Sequence, residues 1–299
     1  MVESGSTQPG AVGPTERSGA VRPADAGEFF TCQNPAAYFP DWSGFYREAL
    51  VERAEVCDRF PHELNLKYGP DPYQLADVFH PGISGAAPVV VFFHGGRWRE
   101  GHPAFYDHFA APWVEAGAVF VSCGYRLEPA HTIADAVDDA VAALAWVAAH
   151  ARNYGGDPDR ITVAGHSSGG HLAAMAALTD WSAGPPGGTV VGAVCLSAPT
   201  DLRTRGVADA ERLSPALRVT RAPAGVVVSF GDPEPNRRSD GGEMYVEHGQ
   251  LLAKALDAAG LPVRTVSLGP ADHLASATVF ADPDSPLFHA AHDVVFGRA

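Results

Sequence analysis

The chain has few cysteines, little positive charge and no long apolar run, and each absence narrows the possible functions. Its 299 residues include 21 Lys and Arg against 35 Asp and Glu, and the resulting net charge of −14 argues against binding to nucleic acid. The four cysteines lie far apart, and neither they nor the histidines show metal-ligand spacing. The first residues lack the pattern of a secretory signal, and no apolar stretch reaches membrane-spanning length. We therefore expect a cytoplasmic protein without a metal, a cofactor or a membrane partner.

Strand patterns alternate with helix patterns along most of the chain. Residues 1–28 are rich in Gly, Pro, Ser and Ala, which predicts a disordered segment before a single domain over residues 29–299. The predicted strands cover residues 73–79, 88–93, 118–123, 161–164, 190–197, 224–230 and 263–267. The predicted helices cover residues 47–59, 103–116, 133–151, 243–259 and 290–296, and Asp138 and Asp139 fall outside the apolar stripe of the third. This alternation predicts an α/β fold with a mostly parallel sheet and helices on both faces.

A pentapeptide between a predicted strand and a predicted helix carries the strongest chemical signal. It reads Gly165-His166-Ser167-Ser168-Gly169. A serine can attack a carbonyl only if it projects from a sharp turn, which strains its backbone and brings strand and helix close together. The two glycines permit that approach because they have no side chains. The spacing selects Ser167 as the nucleophile, since Ser168 at the apex would require glycine where His166 stands.

A serine nucleophile needs a base, and in this architecture the base follows it in the chain. His273 lies on a turn-rich loop after the last predicted strand, whereas the other downstream candidates fall in or near predicted helices: His248, His289 and His292. We therefore predict His273 as the base. His166 and His171 flank the nucleophile in sequence, and we expect packing roles for both because one base is enough.

The acid that orients the base should follow the strand over residues 224–230. Two carboxylates lie there within three positions, Asp232 and Glu234. More distant alternatives are Asp201, Asp240 and Glu243. The residues alone leave this choice open, because each unused carboxylate also suits a turn or a helix cap.

Backbone N–H groups are expected to bind the oxyanion that forms during attack on a carbonyl. The predicted donors are Ser168, which follows the nucleophile, and Gly95 and Gly96, where the absence of side chains lets a carbonyl approach the backbone. Trp98 follows this glycine pair. It either lines a pocket for an aryl group or packs in the core beside the sheet.

Several motifs together resemble one group of enzymes. They are H-G-G-R-W-R-E-G at residues 94–101, Y-G-G-D-P-D-R-I-T-V-A-G-H-S-S-G-G-H-L-A-A-M at 154–175, T-D-W at 179–181 and A-D-P-D-S-P-L at 281–287. Residues 65–285 thereby resemble the kynurenine formamidase (arylformamidase) branch of the α/β-hydrolase esterases, near the hormone-sensitive-lipase-like carboxylesterases. The resemblance implies the α/β-hydrolase fold and an aryl pocket at Trp98. The formamidase pattern implies Glu234 as the acid, whereas the esterase pattern, an acid directly before proline, implies Asp232.

The resulting functional prediction is a serine hydrolase that acts through an acyl-enzyme. The leading substrate is a small, aryl formamide such as N-formylkynurenine, which would place the protein in tryptophan catabolism. The first alternative is a carboxylesterase acting on small esters. An alternative of another class is a non-catalytic binding protein built on the α/β-hydrolase fold. The expected partner is a small-molecule substrate, and the sequence leaves a homodimer open.

Overall fold

A computed structural model describes residues 42–82, 85–181, 190–235 and 242–298. The predicted disordered segment over residues 1–28 lies outside these ranges. Within them the strands are β1 (His62–Lys67), β2 (Leu75–Phe79), β3 (Ala87–Phe93), β4 (Val119–Cys123), β5 (Gly156–His166), β6 (Val190–Leu196), β7 (Gly225–Phe230) and β8 (Arg264–Ser267). The α-helices are α1 (Trp42–Arg59), α2 (Ala110–Glu115), α3 (Ile133–His150), α4 (Ser168–Ala177), α5 (Gly242–Ala258), α6 (Ala275–Thr278) and α7 (Pro286–Val295). None of these helices is both long enough and apolar enough to cross a bilayer.

All the described strands belong to one sheet. Their order is β1-β2-β4-β3-β5-β6-β7-β8. β2 pairs antiparallel with both β1 and β4, and every pair from β4 to β8 is parallel. Because parallel strands end at the same edge, the loops after β3, β5, β7 and β8 meet there. This is the edge at which the sequence predicts the active site.

Helices cover both faces of the sheet, and each face has its own apolar core. Along β3, Val89, Val91 and Phe93 pack on one face with α3, α4 and α5. Val90 and Phe92 pack on the other face with α1, α2 and α7. A strand buried on both faces has no polar alternation, which explains the continuous apolar run that predicted β3.

Three sequence predictions of local structure need correction. The helix predicted over residues 103–116 is instead two 3₁₀ turns, Pro103–Phe105 and Asp107–Phe109, followed by the short helix α2. Proline begins the first turn, and the side chain of His102 caps it by accepting the Ala104 N–H at 3.2 Å. β1 was missing from the prediction because it is an edge strand of largely polar sequence.

The third correction concerns Asp139, which the helical pattern placed away from the apolar stripe. Its side chain is only 1% exposed. It accepts hydrogen bonds from the Arg126 backbone N–H at 2.8 Å, from Arg126 Nη2 at 2.7 Å and from Gln74 Nε2 at 2.7 Å. A buried carboxylate is tolerated when donors surround it in this way. Asp139 thus ties the loop after β4 to α3.

Candidate active site

Ser167 lies at the junction of β5 and α4 in a strained backbone conformation. Its φ of 55° and ψ of −119° are unusual for a residue with a side chain. The structure holds this conformation from two sides. The Ser167 N–H donates to the Leu196 carbonyl at 2.9 Å, and the Ser167 carbonyl accepts the His171 N–H in the first turn of α4 at 3.0 Å. The expected strand, turn and helix around the serine are all present.

The glycines two positions before and after Ser167 allow the turn to pack against β3. A Cβ added to Gly169 would lie 2.5 Å from the carbonyl oxygen of His94, and one added to Gly165 would lie 2.9 Å from that of Phe93. Both are backbone atoms that cannot rotate away. Alanine at either position would therefore push the turn and β3 apart.

His273 and Glu234 form a buried pair after β8 and β7. Nδ1 of His273 lies 2.5 Å from Oε1 of Glu234, and both side chains are almost fully buried. A carboxylate only accepts hydrogen bonds, so Nδ1 carries the shared proton. This arrangement leaves Nε2 as the ring atom that can accept a proton from another group. Asp232, the alternative acid, is exposed, and His273 is paired with Glu234 instead.

Two aromatic rings lie against that of His273. The ring of Tyr245 stacks on that of His273 with centroids 4.1 Å apart and planes 14° apart. Burial raises the pKa of Tyr245 to about 12, and the nearby Ser167 side chain partly offsets that shift. The ring of His166, the neighbour of Ser167 in the chain, lies 4.4 Å from the His273 ring. Tyr245 was not predicted from the sequence, because a tyrosine inside a helical pattern gives no signal that distinguishes it from a core residue.

Two serines that were also not predicted from the sequence hold Glu234 and His273 in position. Ser197 donates its hydroxyl to Oε2 of Glu234 at 2.7 Å, and the Gly231 N–H donates to the same oxygen at 2.9 Å. Ser276 donates to the His273 carbonyl at 2.8 Å and lies 2.9 Å from the Ser197 hydroxyl. Ser197 directly follows β6, and a polar residue at the carboxyl end of a central parallel strand is the signal that could have identified it.

The predicted oxyanion donors lie around Ser167. Gly95 packs against the turn, since a Cβ added to it would lie 3.4 Å from Cβ of Ser167. Gly96 follows Gly95 with a φ of 131°, and Ser168 begins α4, where helical N–H groups lack intrahelical partners. Gly95, Gly96 and Ser168 therefore stay candidate donors.

The other imidazoles near Ser167 are buried and neutral. Burial lowers the pKa of His94 to about 3 and that of His171 to about 4, and it lowers the pKa of His166 well below its ordinary value. His171 Nε2 donates to the Leu213 carbonyl at 2.7 Å. These contacts agree with the expectation that His166 and His171 have packing roles. In the described ranges no group of three His, Cys, Asp or Glu side chains could hold a metal ion.

A cleft of about 770 Å³ opens beside these groups. Trp98 and Tyr245 both line it, so it reaches the tyrosine that stacks on His273. Trp98 is nevertheless only 2% exposed, and its ring packs edge-on against His171 with centroids 5.1 Å apart. The two expectations for Trp98, pocket wall and core residue, therefore both describe its position.

The topology and this site can be compared with known proteins. Residues 90–228 match the profile of a family described as having the alpha/beta hydrolase fold. The chain has the α/β-hydrolase fold. Solved structures of that fold align over most of the chain. A putative thioesterase from Silicibacter sp. TM1040 has a TM-score of 0.71 at 23% identity, covering 89% of this chain and 98% of that protein. An esterase from Pyrobaculum calidifontis has a TM-score of 0.65 at 23% identity, covering 85% and 92%.

Several curated relatives of this chain are esterases from Mycobacterium tuberculosis. Carboxylesterase NlhH is 46% identical over 108 residues, which cover 36% of this α/β-hydrolase chain and 34% of the relative. Esterase LipC is 39% identical over 142 residues, covering 46% and 35%. The chain thus spans about a third of the length of these relatives. Both are named for ester hydrolysis, and neither for the hydrolysis of a formamide.

Proposed function

We propose that the protein is a serine carboxylesterase that hydrolyses small esters through an acyl-enzyme on Ser167. The observation that carries this proposal is the 2.5 Å pair of His273 and Glu234 near a serine on a strained turn. A nucleophile, a base and an orienting acid are the three groups that acyl transfer requires.

In the first half of the reaction, Oγ of Ser167 attacks the ester carbonyl and its proton passes to Nε2 of His273. The resulting imidazolium donates from Nδ1 to Glu234, whose negative charge stabilises it. The negative charge on the substrate oxygen is stabilised by backbone N–H groups, for which Gly95, Gly96 and Ser168 are our candidates. The carbon–oxygen bond of the ester then breaks, and His273 returns the proton to the departing alcohol.

In the second half, water attacks the acyl-enzyme and gives its proton to His273. Collapse of the second tetrahedral intermediate breaks the bond to Ser167, which takes the proton back. The acid product leaves and the free enzyme is restored. In each half of the reaction His273 accepts one proton and returns it, and Ser167 is regenerated at the end. The proposed scheme therefore uses no metal and no cofactor.

Esters are favoured over formamides because the relatives supply independent support for them. Carboxylesterase NlhH and esterase LipC, both named for ester hydrolysis, match this chain over 108 and 142 residues. The arylformamidase alternative rests on the sequence motifs, including that around Trp98, and on Glu234, the acid that the formamidase pattern implied and that pairs with His273. The cleft beside Trp98 does not distinguish an aryl formamide from an ester. We therefore rank the formamidase second, as a specific version of the same acyl-transfer chemistry.

Two measurements test the proposal. A fluorophosphonate probe should label the wild-type protein and fail to label Ser167→Ala, whereas no labelling, or equal labelling of both, would favour a non-catalytic binding protein. The second measurement compares kcat/KM for short p-nitrophenyl esters with that for N-formylkynurenine. A preference for N-formylkynurenine above tenfold would overturn the ranking of ester over formamide.

A further inference from the structure

Tyr245 lies against the imidazole of His273, the proposed base. The two rings are nearly parallel, with centroids 4.1 Å apart and planes 14° apart. Tyr245 is only 5% exposed and His273 only 3%, so their contact is shielded from water. The proposed reaction uses Ser167, His273 and Glu234, and it gives this tyrosine no role.

Helix α5 holds Tyr245 in place through contacts on the same side of the helix. Residues three and four positions apart lie on one face of a helix, so His248 and Gly249 lie beside Tyr245. Nδ1 of His248 accepts the Thr200 N–H at 2.8 Å, and the His248 carbonyl accepts the Thr200 hydroxyl at 2.7 Å. A Cβ added to Gly249 would overlap the ring of Phe230 in β7, so the helix lies tight against the sheet. The fold therefore fixes the position of the tyrosine ring.

The proposed reaction makes the imidazole of His273 positively charged in each tetrahedral intermediate. A cation over the face of an aromatic ring is attracted by the negative potential of that face, and the attraction strengthens when water is excluded. The parallel stacking places the imidazole over the face of the Tyr245 ring and not at its edge. The tyrosine ring therefore favours the charged imidazolium over the neutral imidazole.

Other titratable side chains near His273 act on it in different ways. Glu234 pairs with Nδ1 at 2.5 Å. The ring of His166 lies 4.4 Å away, and burial lowers its pKa well below the ordinary value, so it adds no second positive charge. Oδ1 of Asp272 accepts two backbone N–H groups at the start of α6. Two arginines act on the phenol of Tyr245 itself: Arg205 and Arg97. Because all these groups are common to every Tyr245 variant, a difference between variants reports the ring.

We propose that Tyr245 is a positioning residue for the base, whose ring holds the imidazole of His273 and stabilises its protonated form. The proposal rests on the proposed esterase function, in which His273 is the base, and adds a residue to its machinery. Glu234 acts on the imidazolium through Nδ1, whereas Tyr245 acts on the face of the ring, so the two contacts do not compete.

Two substitutions separate the ring from its hydroxyl. Tyr245→Phe keeps the ring, and Tyr245→Leu replaces it by an apolar side chain without one. We expect Tyr245→Leu to lower kcat for p-nitrophenyl butyrate about 3- to 30-fold relative to Tyr245→Phe, with KM little changed, because a cation–π contact is lost. The acid limb of the pH profile of kcat/KM should also move to lower pH in Tyr245→Leu, since the protonated imidazole is less stable without the ring. A purely structural loss would lower kcat without moving this limb.

Titration of His273 by NMR tests the contact without catalysis. The Cε1–H signal of this imidazole, assigned by its absence in His273→Gln, should titrate about 0.4–1.5 pH units lower in Tyr245→Leu than in Tyr245→Phe and wild type. Tyr245→Met supplies a second variant without the ring in case Tyr245→Leu does not fold. The control is Tyr154→Leu, which removes a buried tyrosine ring before β5, at the opposite edge of the sheet, and should leave the titration unchanged.

The outcomes distinguish this proposal from the esterase function. The same titration in wild type, Tyr245→Phe and the variants without the ring would overturn the role of Tyr245, as would an equal shift in Tyr154→Leu. If the titration shifts as expected but no ester is hydrolysed, the esterase function fails and the stabilisation of the imidazolium stands. If esters are hydrolysed and neither the titration nor the acid limb moves, the role of Tyr245 fails alone.

Discussion

Replacing Glu234 by glutamine removes one charge while keeping the shape of the side chain, and the structure defines two outcomes. If the amide oxygen faces Nδ1 of His273, the amide nitrogen faces the Gly231 N–H, which donates to Glu234 at 2.9 Å in the wild type. Two donors then meet in a buried site. If the amide nitrogen faces Nδ1 instead, the imidazole must carry its proton on Nε2 and can no longer accept the proton of Ser167.

Both outcomes slow acyl transfer, and their sizes can be worked out. In the first orientation the imidazolium loses a charge-assisted hydrogen bond worth about 1.5–3 kcal/mol, which is roughly 10- to 150-fold in rate. In the second orientation the wrong tautomer dominates, and a loss of about 10⁴-fold is the size found for the equivalent change in serine proteases. We therefore expect kcat/KM for p-nitrophenyl butyrate to fall by about 10- to 10⁴-fold, with most of the loss in kcat.

The matched control is Asp232→Asn, the same chemical change two residues earlier at an exposed position. It should leave kcat/KM within about twofold of wild type. Thermal unfolding of each variant separates a catalytic effect from a loss of folded protein. The reasoning would be refuted if Glu234→Gln kept more than a tenth of the wild-type activity, or if Asp232→Asn lost as much as Glu234→Gln.

Three further predictions concern the groups around this pair. Ser197→Ala removes a donor to the Glu234 carboxylate, so we expect kcat to fall about tenfold with KM little changed; an unchanged kcat would contradict this. Gly169→Ala brings a Cβ against the backbone of β3 and should lower the free energy of unfolding by more than about 2 kcal/mol. The control is Gly44→Ala in α1, which has open space around it and should change the free energy of unfolding by less than about 1 kcal/mol. Denaturant titration of both variants measures the two values. Burial raises the pKa of Glu100 from 4.5 to about 7, so between these pH values the carboxyl ionises in the unfolded chain and stays protonated in the folded one. Relative to Glu100→Gln, the wild type should therefore lose about 3 kcal/mol of its free energy of unfolding as the pH rises from 4.5 to 7. Parallel curves of Tm against pH for the two proteins would rule this out.

The strand, turn and helix around Ser167 could be predicted from the sequence, because their requirements are local. Strain at Ser167 and the close approach of Gly165 and Gly169 to β3 all follow from one strand, one turn and one helix. The same holds for β3, whose apolar run reflects burial on both faces. His273 could be selected by exclusion, since the other downstream histidines fall in or near predicted helices.

The acid could not be chosen from the residues because the choice depends on tertiary contacts. Asp232 and Glu234 are two positions apart in a turn, and only the positions of Ser197 and His273, far away in the chain, distinguish the two carboxylates. Asp139 illustrates the same limit: a buried carboxylate on a helix is recognisable only when its donors, here Arg126 and Gln74, are known.

The distribution of the reacting groups along the chain has a practical consequence. Our proposed nucleophile follows the fifth strand, the proposed acid follows the seventh and the proposed base follows the eighth, so a fragment ending before residue 264 would keep Ser167 and lose His273. No partly assembled form contains all three. Turnover of a chromogenic substrate would then report complete assembly of the sheet during refolding, at concentrations far too low for spectroscopic detection of the fold.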